Sequence, residues 1–303
     1  MDIAVLFWFY KNIPVCVERL ERFRRINPRL KVFALYGGDR MESDNAFFAI
    51  NHLVDDFYSF DEQQEPQWKW RNGDHLIGSW FLKRGVSLQW ESIFIMQWDM
   101  LVLKDPLEVV LKNLQSEQVL LSGFTGFENV SEWWGWSKNY PDEVQEFKNY
   151  LLDKFKYSGS LYACLFIVVC LPRGFLAKYS SLAITELGFL EYKVPTMAKV
   201  FGFEICYDSQ FDPWWAANPA TVDIARRDKV LNASRTDIGL MTIFNELMAP
   251  SGRRIFHPYG RSLPGFLENK LLMKLVLFLL RIPKIVLTYV YHYLNALQLG
   301  LRR

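Results

Sequence analysis

The 303-residue chain is 50% hydrophobic and 22% charged. That excludes a disordered polypeptide and supplies a core for one large domain or two small ones. A net charge of +2 excludes the basic field of a nucleic-acid binder, so no nucleic-acid partner is expected. Aromatic residues reach 16%, with 11 Trp, more than packing alone requires and suited to stacking surfaces.

Four cysteines, Cys16, Cys164, Cys170 and Cys206, show neither a CxxC pair nor zinc spacing. Cys164 and Cys170, inside an apolar run, read as reduced core thiols, and the cysteine count suits a reducing compartment. Ile3–Tyr10 follows the acidic Asp2 and is too short, and too poor in basic flanks, for a secretory signal. No window offers the 20 or so uncharged apolar residues of a spanning helix.

Ile3–Tyr10 is a continuous apolar run, as expected of a strand covered on both faces. Pro14–Ile26 reads as a helix, with Val15, Val17, Leu20 and Phe23 inward and Glu18, Arg19, Glu21, Arg22 and Arg24 outward. Asn27-Pro28 ends it. Lys31–Tyr36 is a second strand, closed by Gly37-Gly38-Asp39, and Leu53–Phe60 a further segment. Asp74–Gly85 reads as a helix and Ser92–Met96 as a buried strand. This alternation implies right-handed crossovers and a mixed, mainly parallel α/β sheet between helices. Ligands of such sheets bind at the carboxyl ends of the strands, which directs attention to the residues after Tyr10, Tyr36 and Met96.

Trp133-Trp134-Gly135-Trp136 falls in a polar loop, and Leu161–Leu171 is an apolar stretch ended by Pro172-Arg173-Gly174. Phe175–Leu187 reads as a helix, Glu191–Thr196 as a turn or short strand, and Met197–Phe201 as a short helix. Trp214-Trp215 follows Asp212-Pro213, and Ile238–Leu247 is helical. No repeat or linker divides the chain before residue 265.

The segment 266–303 differs. From Lys270 to Arg303 it has no acidic residue, and Lys270, Lys274, Arg281 and Lys284 fall within an arc of roughly 80° at ~100° per residue. Pro283 breaks it into two helices. The pattern fits an amphipathic tail lying in the interface of an anionic membrane, and the protein is expected to be cytoplasmic and peripherally attached. Packing on the protein's own core and a dimer contact are the alternatives.

The segment Gln97-Trp98-Asp99-Met100-Leu101-Val102-Leu103-Lys104-Asp105-Pro106-Leu107 carries the clearest chemistry. A buried strand delivers Asp99 to its carboxyl end, where a hard cation shared with a diphosphate wants an oxygen ligand. The segment resembles the Asp-x-Asp region of GT-A-fold glycosyltransferases, especially the glycogenin-like and bacterial galactosyltransferase-like group. The resemblance implies a GT-A-like, Rossmann-like fold over 1–265 and a Mn²⁺ or Mg²⁺ cofactor. Asp99 takes the place of the second Asp, the metal ligand. Gln97 stands where the first is expected, able to accept from a ribose hydroxyl but without charge for the metal.

Phe256-His257-Pro258-Tyr259-Gly260-Arg261-Ser262-Leu263-Pro264 resembles that group's His-x-x-Gly-x-x-Lys-Pro. The resemblance makes His257 the residue that closes the metal site. Leu263 replaces the Lys, and Arg261 is its substitute at the phosphates. It also implies donor contacts from Tyr10 and Lys11 after the first strand, Gly38 and Asp39 after the second, and Asp74 near the sugar. Glu191, in a context similar to that of several GT-A transferases, is the candidate catalytic carboxylate, with Asp212 second. Trp133, Trp134, Trp136, Trp214 and Trp215 suit acceptor stacking, membrane anchoring or core packing.

The expected function is a hexosyltransferase moving sugar from a nucleotide-diphospho-sugar, with UDP favoured, to a glycan or lipid-linked acceptor in surface polysaccharide or glycolipid synthesis. The glycogenin-like pattern points to retention and Glu191 to inversion. A non-catalytic carbohydrate-binding or membrane scaffold protein is the alternative. A nucleotidyltransferase is disfavoured because Lys11-Asn12-Ile13-Pro14 occupies the place of its Gly-rich loop.

Overall fold

The computed structural model describes residues 1–109, 111–182, 187–206, 231 and 237–268. The chain divides into two compact units, Met1–Arg261 and Ser262–Arg303. Asp212, Trp214, Trp215 and the basic stripe from Lys270 lie outside the described residues. Among the described residues no helix is long and apolar enough to cross a membrane. The second unit is described over 262–268, where Gly265–Glu268 forms a 3-10 turn.

The first unit opens with β1 (Ile3–Phe9), α1 (Ile13–Ile26), β2 (Lys31–Tyr36), α2 (Ser43–Ile50) and β3 (Asp56–Ser59). Next come α3 (Pro66–Arg71), α4 (Gly73–Trp80), β4 (Ser92–Gln97), β5 (Leu101–Val102), α5 (Pro106–Val109), β6 (Val119–Leu121) and β7 (Thr125–Gly126). Then follow α6 (Gly135–Lys138), α7 (Pro141–Phe155), β8 (Tyr162–Ala163), β9 (Val169–Pro172), α8 (Arg173–Tyr179) and α9 (Leu190–Val200). β10 (Ile205–Cys206), α10 (Leu240–Met248) and β11 (Ile255–Phe256) complete the unit.

Among the described residues seven strands form the central sheet in the order β10-β6-β9-β4-β1-β2-β3. β4, β1, β2 and β3 run parallel, while β9 is antiparallel to both β4 and β6. The sheet is therefore mixed and mainly parallel, as the alternating pattern predicts. All seven residues of β1 are buried. Ala4, Leu6 and Trp8 face one core with Leu76, Ile77 and Trp80 of α4. Ile3, Val5, Phe7 and Phe9 face the other, with Cys16, Leu20 and Phe23 of α1. A strand between two helical layers loses its polar alternation, which is why the run reads as continuously apolar. The four cysteines are buried and none is in a disulfide.

Three of the differences from the sequence expectations concern α1, α7 and α9. Arg19 and Arg22 are buried rather than on the outer face of α1, because both guanidinium groups find oxygen partners there. The 15-residue α7 has no counterpart in the sequence reading. Its signals are Pro141 at the start, Asp142 and Glu143 in the first turn, and Val144, Phe147 and Leu151 on one buried face.

The third difference is α9, one continuous helix where a turn or strand and a separate short helix were expected. Pro195 inside it has no N–H for the Glu191 carbonyl. That carbonyl instead accepts from the Cys164 N–H at 2.9 Å. A partner from a distant segment thus satisfies the group that the proline leaves open.

Candidate active site

A cleft of about 490 Å³ opens at the carboxyl ends of β1 and β4. Trp8, Tyr10 and Lys11 enter it from β1 and the turn beyond, and Gln97, Trp98 and Asp99 from β4 and its turn. Backbone bonds fix these two ends together: Trp98 N–H donates to Trp8 O at 3.0 Å, and Met100 N–H to Gln97 O at 2.9 Å. Phe166, Ile167, Phe189, Leu190 and Glu191 form a second wall, and Asp237, His257, Pro258 and Gly260 a third.

His257 reaches Asp99 through a second small sheet. β11 pairs antiparallel with β5, setting Ile255 against Val102 and Phe256 against Leu101. One residue beyond that pairing, His257 Nε2 stands 3.5 Å from Asp99 Oδ1. Tyr259 N–H donates to Asp99 O at 2.7 Å. The buried Arg19 ties down the same loop by donating to Tyr259 O at 2.8 Å and Arg261 O at 2.7 Å. Burial alone pushes the Asp99 carboxyl up, but the His257 ring beside it, with backbone donors and Lys11, holds it below the ordinary carboxylate range.

These residues fit a divalent cation. Asp99 Oδ1 is buried with no hydrogen-bond partner closer than the long His257 contact. An acceptor in that state suits a cation. Among the described residues no group of three or more His, Cys, Asp or Glu converges on one point. Two protein ligands suffice where a diphosphate and water supply the rest, the usual habit of Mg²⁺ at phosphate sites. Gln97 Nε2 donates to the Phe166 carbonyl, which leaves its amide oxygen as the side chain's uncharged acceptor.

Glu191 stands across the cleft. Its Oε1 accepts from the Phe166 N–H at 3.1 Å. Burial pushes its carboxyl up to about 8, with that one backbone donor pulling the other way. At neutral pH the side chain is mainly protonated, and its basic form accumulates as the pH rises towards that value.

The structure brings Tyr10, Lys11, Gln97, Asp99, Glu191 and His257 to one cleft. Other candidates fall outside its wall. Asp39 caps a 3-10 turn by accepting from Met41 N–H, and the Gly38 carbonyl accepts from Lys69 Nζ at 2.6 Å. Asp74 lies 4% exposed in a buried cluster, 3.0 Å from Lys193 Nζ and bonded by the Tyr179 hydroxyl. Arg261 points to Asp237, Nε to Oδ2 at 3.6 Å. Lys11 is the lysine or arginine among the described lining residues, held over the rings of Tyr10 and Trp98 at 5.3 and 4.8 Å.

The tryptophans divide similarly. Trp134 is a core residue, and Trp133 packs against the same core. Trp136 lies behind the cleft wall, stacked on Phe189 at 4.1 Å. Trp8, Trp70 and Trp98 line the cleft instead. Trp70 shares the short helix α3 with Trp68, which packs on the core, and nothing local distinguishes the two.

No protein-family model matches the sequence, and no curated protein matches it. Solved structures similar in backbone arrangement include the apo structure of the bifunctional glycosyltransferase WbbM, at 11% identity and a TM-score of 0.46. That match covers 86% of this chain and 46% of the WbbM chain, so this chain spans under half of that relative. The galactosyltransferase LgtC, solved with donor and acceptor sugar analogs, matches at 13% identity and a TM-score of 0.40, over 87% of this chain and 84% of its own. A cytidylyltransferase from Leptospira borgpetersenii matches at 11% identity and 0.38, over 69% and 77%.

Proposed function

We propose that this protein is a glycosyltransferase that takes a nucleotide-diphospho-sugar, UDP-linked by preference, and transfers the hexose to a glycan or lipid-linked acceptor. The observation that carries the reading is the pair Asp99–His257, far apart in sequence and 3.5 Å apart in the cleft. The carboxylate and imidazole would hold Mn²⁺ or Mg²⁺ against the donor diphosphate. Bound there, the ion neutralises the departing diphosphate. Lys11 adds a fixed positive charge, and Tyr10 and Trp98 give faces for the base.

Glu191 in its basic form takes the acceptor's hydroxyl proton. The acceptor oxygen bonds to the anomeric carbon as that carbon's bond to the phosphate oxygen breaks, and the nucleoside diphosphate leaves with the bonding pair. The acid-free, basic segment beyond Lys270 supports attachment to the cytoplasmic face of an anionic membrane. Truncation after Glu268 then releases the protein from sedimented vesicles, and continued co-sedimentation overturns that attachment.

A non-catalytic sugar-binding role is the second reading, favoured by the uncharged Gln97 where a first Asp is expected. Titration with UDP, GDP, dTDP and CMP, with and without Mn²⁺, tests both. Metal-dependent binding of one nucleotide, abolished in Asp99→Ala, supports the donor site, and hydrolysis of the matching nucleotide-sugar separates enzyme from binder. Failure of folded protein to bind any nucleotide overturns the transferase reading.

A further inference from the structure

The cleft lining holds two chemically different clusters. One carries Lys11, Asp99 and His257. The other carries Trp70 and Phe189, with Glu191 two residues beyond Phe189. Trp70 is 41% exposed, an unusual state for the largest apolar side chain unless it meets something.

The rings behind Trp70 are fixed. Trp136 stacks on Phe189 with centroids 4.1 Å apart and planes 22° from parallel. Its ring is also stacked with Tyr140 at 5.7 Å. The Arg71 guanidinium lies 4.6 Å from the Tyr140 centroid and 5.6 Å from that of Trp136, and pairs with Glu143 at 2.5 Å. Trp70 is held against this stack, 5.2 Å from Trp136 and 5.5 Å from Phe189. A packed, ion-paired base therefore supports one exposed indole, and little ordering remains to be done on binding.

We infer that Trp70, backed by Trp136 and Phe189, is the acceptor platform of the cleft and stacks on the apolar face of a neutral pyranose ring. The inference rests on the transferase reading for the word acceptor, while the platform stands or falls separately. A pyranose presents axial C–H groups on one face and hydroxyls around its rim, which matches an indole at a wet cleft mouth. Among the described residues the cation of the platform, Arg71, is already paired with Glu143, which favours a neutral ligand over a phosphate. Trp70, Phe189 and Glu191 line the same cleft, so a sugar on the platform shares the cleft with the carboxyl that takes the acceptor's proton.

Saturation-transfer NMR tests this on the full chain, with and without UDP and Mn²⁺. The probes are the methyl β-glycosides of glucose, galactose and N-acetylglucosamine. Transfer strongest at the axial ring protons of at least one glycoside is expected. Trp70→Ala is expected to weaken that sugar about tenfold, with Trp70→Phe recovering part of it and the UDP titration keeping its midpoint. Absence of transfer to all three glycosides overturns the inference, as does a signal that persists in Trp70→Ala. A weakened UDP titration in Trp70→Ala also overturns it, because the ring then belongs to the base. Sugar binding at Trp70 in a protein that binds no nucleotide leaves the platform standing and removes the transferase.

Discussion

Gln97 and Glu191 grip the same residue from opposite sides of its peptide. The Gln97 amide donates to the Phe166 carbonyl, and the Phe166 N–H donates to Glu191 Oε1. The end of β4 and the start of α9 are thereby coupled through one backbone unit. An aspartate at 97 has no N–H for that carbonyl, so the amide at this position is a structural requirement of the cleft wall.

Exchanging Gln97 for Asp tests that requirement. Gln97→Asp leaves the Phe166 carbonyl without its donor, at a cost of about 1–3 kcal/mol. The denaturant midpoint is expected to fall, while the added carboxylate tightens Mn²⁺ binding to the nucleotide-loaded protein. An unchanged midpoint removes the clamp from the account.

Glu191 is expected to make stability and, in its proposed role, activity depend on pH. Its native pKa is raised to about 8 from an ordinary 4.5. Between those values the native state binds more protons than the unfolded chain, so stability is greatest below the lower value and falls as pH rises. With Glu191 as the proposed base, transfer is expected to rise over the same range as the basic form accumulates. Glu191→Gln is expected to flatten the stability profile and to lower the transfer rate about 10²-fold or more, with nucleotide binding retained. Denaturation curves and rates across the range check both signs.

Arg19 acts at a distance from the chemistry. It is 1% exposed and donates to the carbonyls of Tyr259 and Arg261. Arg19→Met keeps much of the volume but leaves two carbonyls without a charged donor, at a cost of about 3–5 kcal/mol. Because these bonds hold the loop that carries His257, Mn²⁺-dependent nucleotide binding is expected to weaken as well. Isothermal titration at a temperature where the variant is folded separates the two effects.

Gly260 is required by the shape of the cleft. A Cβ at that position would lie 2.8 Å from the tip of the Trp98 ring, closer than packed atoms sit. Gly260→Ala displaces an indole that lines the cleft and is in edge contact with Tyr10 at 5.9 Å. Nucleotide affinity is expected to drop about tenfold, with a stability loss of about 1–3 kcal/mol. Trp fluorescence reports the ring, and the nucleotide titration reports its consequence.

The sequence by itself determined the parallel half of the sheet, the buried β1 and β4, and the carboxyl-end placement of Lys11 and Asp99. Those are local matters: a strand between two helical layers must be apolar throughout, and a parallel strand must deliver its next residues to one edge. Only the tertiary structure decided that Asp74 and Arg261 turn to Lys193 and Asp237, because an ion pair between distant segments has no period. The same holds for Arg19, whose place in the α1 pattern reads as solvent-facing until Tyr259 and Arg261 arrive to accept its protons. Pro195 reads as a helix breaker until Cys164 supplies the missing N–H. Trp70 reads as an ordinary aromatic until Trp136 and Phe189, from two other segments, stack behind it and leave it at the cleft mouth.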